Sequence, residues 1–172
     1  MRHPWKRLAA WFIDCLLILL FAGLIAAVCV PLYLAGVTGA MPQPVGNAVS
    51  ALVLVVPAVL VLAALEAGHK AATIGKLAMK LHLTDSDGTQ VTYPRALARN
   101  TMKFGAPWLI AHAAVYALAS SSAQGVIPGW IWPLLALAYA IPIVWILSLF
   151  VGTGRTPYDR LTHTTVSATP DI

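Results

Sequence analysis

Apolar residues fall into four long runs along this chain, at about 8–36, 48–66, 104–120 and 130–151, with polar residues gathered between them. A helix that crosses a bilayer needs about 20 predominantly apolar residues. The second and fourth runs meet that directly. The third is short by itself, and the pattern predicts that its helix starts earlier, at Pro94, so that the span is 94/104–120. Proline suits a first helical turn because its missing N–H would have no partner there. The first run is long enough to tilt, or to break at Pro31. It follows a basic segment from Arg2 to Arg7, as a signal peptide would. Yet it is about twice the usual apolar core of a signal and carries Asp14 inside, so a retained helix is expected.

The polar stretch between the second and third runs has a pattern of its own. Residues 75–83 read as a short amphipathic stretch with Lys76 and Lys80 one turn apart. Residues 81–84 and 89–92 then alternate around Asp85-Ser86-Asp87-Gly88, which predicts a β-hairpin. That turn resembles the start of a calcium loop but lacks the closing glutamate. Beyond Pro94, Arg95, Arg99 and Lys103 recur at four-residue spacing, a basic stripe leading into the third span. The expected fold is an all-α integral membrane protein. It is a four-transmembrane-helix bundle with a short cytoplasmic β-hairpin and amphipathic insert between helices 2 and 3, in one domain over 1–172.

Composition agrees with burial in lipid. Of 172 residues 59% are hydrophobic and 10% charged, against about 25% charged in a soluble domain. The net charge of +5 does not point to nucleic acid, because the basic residues flank apolar runs and line no groove with interleaved aromatics. All 11 Lys and Arg lie before the first run, between the second and third, or after the fourth. The other two loops, 37–47 and 120–129, have none. Basic loops stay cytoplasmic, so both termini are expected in the cytoplasm; together with the retained first helix and the resemblance given below, the expected location is a bacterial inner membrane. The expected surroundings are lipid, with anionic headgroups drawn to the basic side at about 1 kcal/mol per residue.

Few residues offer chemistry. Asp14 lies inside the first span, and a carboxylate at mid-bilayer costs about 2.5–3.5 kcal/mol, so it needs a partner or a watery cavity. Lys103, Arg99 and Lys76 are the candidate partners; an ion or proton site and a structural pin between helices are the two readings. Glu66 ends the second helix against its dipole, so it is expected to pair with a base, with Gly68 as the helix stop. His112 falls in the third span without a second histidine at ligand spacing, and reads as an interhelical hydrogen-bonding group. Cys15 and Cys29 are about 21 Å apart along one helix, too far for a bridge, and read as apolar fillers. Trp5, Trp108, Trp130 and Trp132 read as interfacial anchors. Prolines 31, 57, 107, 133 and 142 fall within spans. No nucleophile, base and orienting acid converge and no phosphate-binding glycine pattern occurs, so no enzyme activity, cofactor or metal is expected.

Several elements taken together resemble the RDD family of membrane proteins, named for one arginine and two aspartates. The opening Arg7-Leu8-Ala9-Ala10-Trp11-Phe12-Ile13-Asp14 is similar to the family's first helix, with its arginine and first aspartate. Thr73-Ile74-Gly75-Lys76 resembles its Thr-x-Gly-Lys element, and Arg95 and Arg99 stand where the family has basic residues. Asp159 corresponds to the closing aspartate and Thr164 to the family's threonine. His163 stands where the family usually has glycine. The resemblance implies a transport-related role for a cation, a proton or a small ligand, with Arg7, Asp14 and Asp159 in one charged cluster. Arg7, Lys76, Arg99 and Asp159 would then tune Asp14, and so small a protomer would work as a homo-oligomer. The rival expectation is a non-transporting accessory protein whose charged cluster holds helices together or docks a partner.

Overall fold

The computed structural model describes residues 3–37, 39, 41–123 and 125–168; Arg2, part of the basic count above, lies outside them. Helix α1 (Pro4–Leu34) begins with proline in its first turn and runs through Pro31 without breaking. Helix α2 (Gln43–Ser50), a π-helical turn (Ala51–Val55) and α3 (Val56–Ala67) follow one another without interruption. After the short α4 (Ile74–Ala78) and strand β1 (Leu81–Asp85), a second composite helix is built the same way: α5 (Tyr93–Asn100), a π-helical turn (Thr101–Gly105) and α6 (Ala106–Ala123). The chain closes with α7 (Ile131–Phe150), α8 (Pro157–Leu161) and β2 (Thr164–Ala168).

The two π-helical turns have a common cause. Each is followed, two residues on, by a proline, Pro57 and Pro107. A proline within a helix lacks the N–H and collides with the carbonyl four residues back. Widening that turn by one residue removes the collision without ending the helix.

Among the described residues, three helices are long and apolar enough to cross a membrane: Pro4–Leu34, Pro44–Ala67 and Ile131–Phe150. Their apolar side chains are largely on the outside, as at Leu20, Leu24, Val28, Tyr139 and Leu147. Apolar surface of this extent is not left facing water. Helix α5 starts at Tyr93 with Pro94 in its first turn, where the proline pattern predicts a start.

The expected hairpin is not formed. Strand β1 pairs antiparallel with the tail strand β2, with Leu81 opposite Ala168 and Asp85 opposite Thr164. Residues 89–92 contribute one isolated bridge, Thr84 to Gln90. The reason lies in what that segment does instead. The Gln90 side-chain amide donates to the Ala67 and Gly68 carbonyls (2.7 and 3.1 Å), satisfying the end of α3. Val91 is buried, and Thr92 already precedes α5. The β-branched tail, Thr164-Thr165-Val166, supplies the ladder partner.

Two apolar clusters hold the base of the bundle. One joins Ile18 of α1 to Val55, Val59, Leu62 and Phe104; the other joins Ala63, Leu83, Val91 and Ala96. Leu97 packs against both. His163 adopts φ +54 before β2, so the turn forms in the left-handed region with a non-glycine residue.

Candidate functional site

The Thr73-Ile74-Gly75-Lys76 segment divides its groups between two carboxylates. Thr73 is the N-cap of α4, its hydroxyl accepting from the Lys76 N–H at 3.4 Å. The same hydroxyl donates to Asp14 Oδ2 at 2.7 Å, and the Gly75 N–H donates to Asp14 Oδ1 at 2.8 Å. The first N–H groups of a helix have no partner within it, so the α1 carboxylate completes the start of α4. Glycine is needed at 75 because a Cβ there would overlap the Ala10 carbonyl of α1 and crowd Asp14 Oδ1. Lys76 turns the other way and places Nζ 2.5 Å from Glu66 Oε1.

Glu66, fully buried in the last turn of α3, is shared among three donors. Its Oε1 also accepts from Arg99 Nη1 at 2.7 Å, and its Oε2 accepts from Asn100 Nδ2 at 2.8 Å. Arg99 continues the chain of contacts: its Nε and Nη2 donate to Asp159 Oδ1 at 3.0 and 2.8 Å. Asp159 Oδ2 pairs with Arg7, whose Nη1 donates to the Gly154 carbonyl at 2.6 Å. Thr156 and Asp159 form a reciprocal capping box at the start of α8. The Arg99 guanidinium lies 5.1 Å from the centroid of the Tyr158 ring, which meets Trp145 edge to face. The contacts therefore make a closed circuit: α1 to α4, α4 to α3, α3 to α5, α5 to α8, and α8 back to α1.

Burial sets the electrostatics of this circuit. Loss of hydration, reinforced by the Arg99 charge, pushes Lys76 down to about 7, against the pull of Glu66. At Asp159 burial works to raise the pKa, but Arg99 and Arg7 outweigh it and hold the carboxyl well below the usual carboxylate range. Burial and then the Asp159 charge push the Tyr158 hydroxyl up. Removing one partner of such a buried pair leaves an uncompensated charge, at a cost of about 3–5 kcal/mol.

Eight of the residues singled out from the sequence meet here: Arg7, Asp14, Glu66, Thr73, Gly75, Lys76, Arg99 and Asp159. The partner of Asp14 is corrected. A hydroxyl and a backbone N–H hold it, because Lys76 and Arg99 are taken by Glu66 and Asp159. Lys103 is buried nearby and, among the described residues, has no carboxylate within ion-pair distance; its ammonium lies 4.5 Å from the Phe104 ring centroid. The basic stripe is not one face. Arg95 stands half exposed and pairs with Asp85, away from the circuit. Thr164 is buried at the start of β2, its hydroxyl 3.1 Å from that of Thr162 and its carbonyl accepting from Arg155 Nη2 at 3.0 Å. Asn100 and Thr156 were missed; the Thr-x-x-Asp spacing before α8 is a capping signal that marks Thr156. Trp108 is half-buried and lies against His112, at a ring separation of 6.2 Å.

Two cavities meet at Asp14. The larger, about 290 Å³, lies among α1, α6 and α7, with Arg7, Lys76, Arg99 and Lys103 on its walls. The smaller, about 250 Å³, is apolar and lies between α1 and α3, bounded by Ile18, Phe21, Pro57 and Leu62. Asp14 borders both.

An arginine and an aspartate on the first helix, a Thr-x-Gly-Lys turn folded onto that aspartate, and a second aspartate returning to the arginine form one site. The RDD family model matches residues 1–127. The chain belongs to the RDD family. Comparison with curated proteins and with solved structures finds no match. The matched region of this RDD protein contains Arg7, Asp14, the Thr-Ile-Gly-Lys turn and Arg99, while Asp159 lies beyond it and joins through α8.

Proposed function

We propose that this RDD protein is a transport-related membrane protein in which Asp14 takes up and releases a proton or small cation between two cavities. The observation that carries this is the position of Asp14, buried and bordering both spaces at once. The carboxylate is held there by the Thr73 hydroxyl and the Gly75 N–H, with no base in an ion pair with it among the described residues. The continuous helix from α5 through α6 serves as a fourth span beside the three apolar ones, in a bacterial inner membrane. All 11 Lys and Arg fall in the sequence before the first apolar run, between the second and third, or after the fourth, which supports cytoplasmic termini and contact with anionic headgroups. A homo-oligomer would complete the pathway.

The test is proton and alkali-cation flux in proteoliposomes, wild type beside Asp14→Asn. Asparagine keeps an acceptor for Gly75 N–H, and its amide can donate to Thr73 Oγ1, so the fold is expected to persist. Flux that vanishes in the variant supports the reading; equal flux in both removes Asp14 from the pathway. A second reading has its own observation: both oxygens of Glu66 and of Asp159 are engaged within the circuit. A protein serving only as an accessory needs such a clamp and no flux. In that case Asp14→Asn lowers thermal stability or partner recovery, and the purified wild type moves no ions.

A further inference from the structure

We propose that the larger cavity binds a small organic anion with an apolar or aromatic body, its acid group anchored on the Lys103 ammonium. The charge inventory leads there. Arg7, Lys76 and Arg99 are matched within the circuit by Glu66 and Asp159, and Asp14 is satisfied by Thr73 and Gly75. Four basic side chains and one carboxylate, Asp14, line the cavity, and Lys103 is the base among them without an ion-pair partner among the described residues. Its ammonium lies 4.5 Å from the Phe104 ring centroid, and both residues line the cavity. A buried ammonium is costly unless paired, so an acid group is the complement this space lacks.

The walls define the rest of the ligand. Trp11, Phe104, Trp108, Tyr139 and Trp145 line the space, giving apolar surface and aromatic faces with few polar groups. Ligand pockets of this type combine an apolar body with a few converging polar groups that fix orientation. The π-helical turn contributes the anchor. It includes Lys103 and Phe104 and is imposed by Pro107, which itself lines the cavity. Such turns recur at functional sites. The acid group can be a carboxylate or a phosphate, carried by a soluble acid or by a lipid.

The inference goes beyond the transport reading and stands apart from it: it concerns a ligand on Lys103 in the larger cavity, and binding is measured without flux. Full-length protein in a neutral detergent is titrated with naphthalene-2-carboxylate, with the uncharged naphthalene-2-carboxamide, and with dihexanoyl phosphatidate. Quenching of tryptophan fluorescence and calorimetry give the affinities. Saturable binding of either anion is expected, with the carboxamide weaker than the carboxylate by about tenfold or more, which is about 1.4 kcal/mol. Lys103→Met is expected to lose about tenfold or more of the anion affinity and Lys103→Arg to keep most of it. If Lys103→Met does not fold, Ala111→Leu narrows the same cavity without touching a charge and is expected to weaken binding. Competition between the two anions assigns a lipid source; binding of the carboxylate alone assigns a soluble acid. Equal binding of carboxylate and carboxamide, or undiminished anion binding by a folded Lys103→Met, overturns the proposal. Anion binding beside absent flux would retire the transport reading and leave the site standing.

Discussion

Gly75 and Lys76, neighbours in one short helix, are constrained by opposite faces of the same circuit. At Gly75 the constraint is space, since a Cβ would overlap the Ala10 carbonyl. Gly75→Ala must push α4 away from α1 and lengthen the bonds to Asp14, so a loss of about 1–3 kcal/mol is expected, as for other overpacked positions. Thermal unfolding in detergent measures it; an unchanged midpoint would show that α4 can shift freely. At Lys76 the constraint is charge. Its pKa of about 7 lies below the ordinary lysine value of about 10.4, because burial, with Arg99 and Lys103 nearby, outweighs the opposing pull of Glu66. Between about 7 and 10.4 the unfolded chain then holds more protons than the folded one, so the Lys76 contribution makes stability rise with pH across that window. Below about pH 7 both states hold the proton and the contribution is flat. The unfolding midpoint of wild type is therefore expected to rise from pH 7 to pH 9, and that of Lys76→Met to rise less. Equal slopes would contradict the assignment. Sequence alone showed that Asp14 needs a partner and offered three bases. It could not show a backbone N–H as the answer, because any residue type supplies one.

At the scale of elements, the helices were readable and the sheet was not. Long apolar runs mark α1, α3 and α7, and Pro94 marks the entry to α5. The strand pairing depended on competition between a near segment and a far one. Asp85-Ser86-Asp87-Gly88 does turn, with Gly88 at φ +79 and its N–H donating to the Asp85 carbonyl at 3.0 Å. However, Gln90 is used to finish α3 and Val91 to fill the core, which leaves β1 to the tail. No local pattern records that choice. The turn into β2 yields a prediction at this scale. His163 at φ +54 costs about 1–2 kcal/mol relative to ordinary backbone, while glycine adds about 0.5–1 kcal/mol of unfolded-state entropy. His163→Gly is thus expected to stabilise the protein by up to about 1 kcal/mol. A lowered unfolding midpoint would mean that the imidazole makes a contribution larger than the backbone strain.

For the whole molecule, the account rests on a circuit that leaves α1 at Asp14 and returns to it at Arg7. It ties five helices together at one end of the bundle and forms the floor of the larger cavity. The family pattern named the arginine and both aspartates, yet the residues that connect them, Glu66 and Arg99, had to be placed by the fold. The joint that closes the circuit spans most of the chain, from Arg7 to Asp159. A double-mutant cycle across it, with Arg7→Met, Asp159→Asn and the pair together, measures that joint directly by unfolding in detergent. The circuit requires a coupling of about 0.5–3 kcal/mol, with the double variant less damaged than the two single losses combined. Losses that add within about 0.3–0.5 kcal/mol would mean the two side chains act separately, and the closed circuit would not exist.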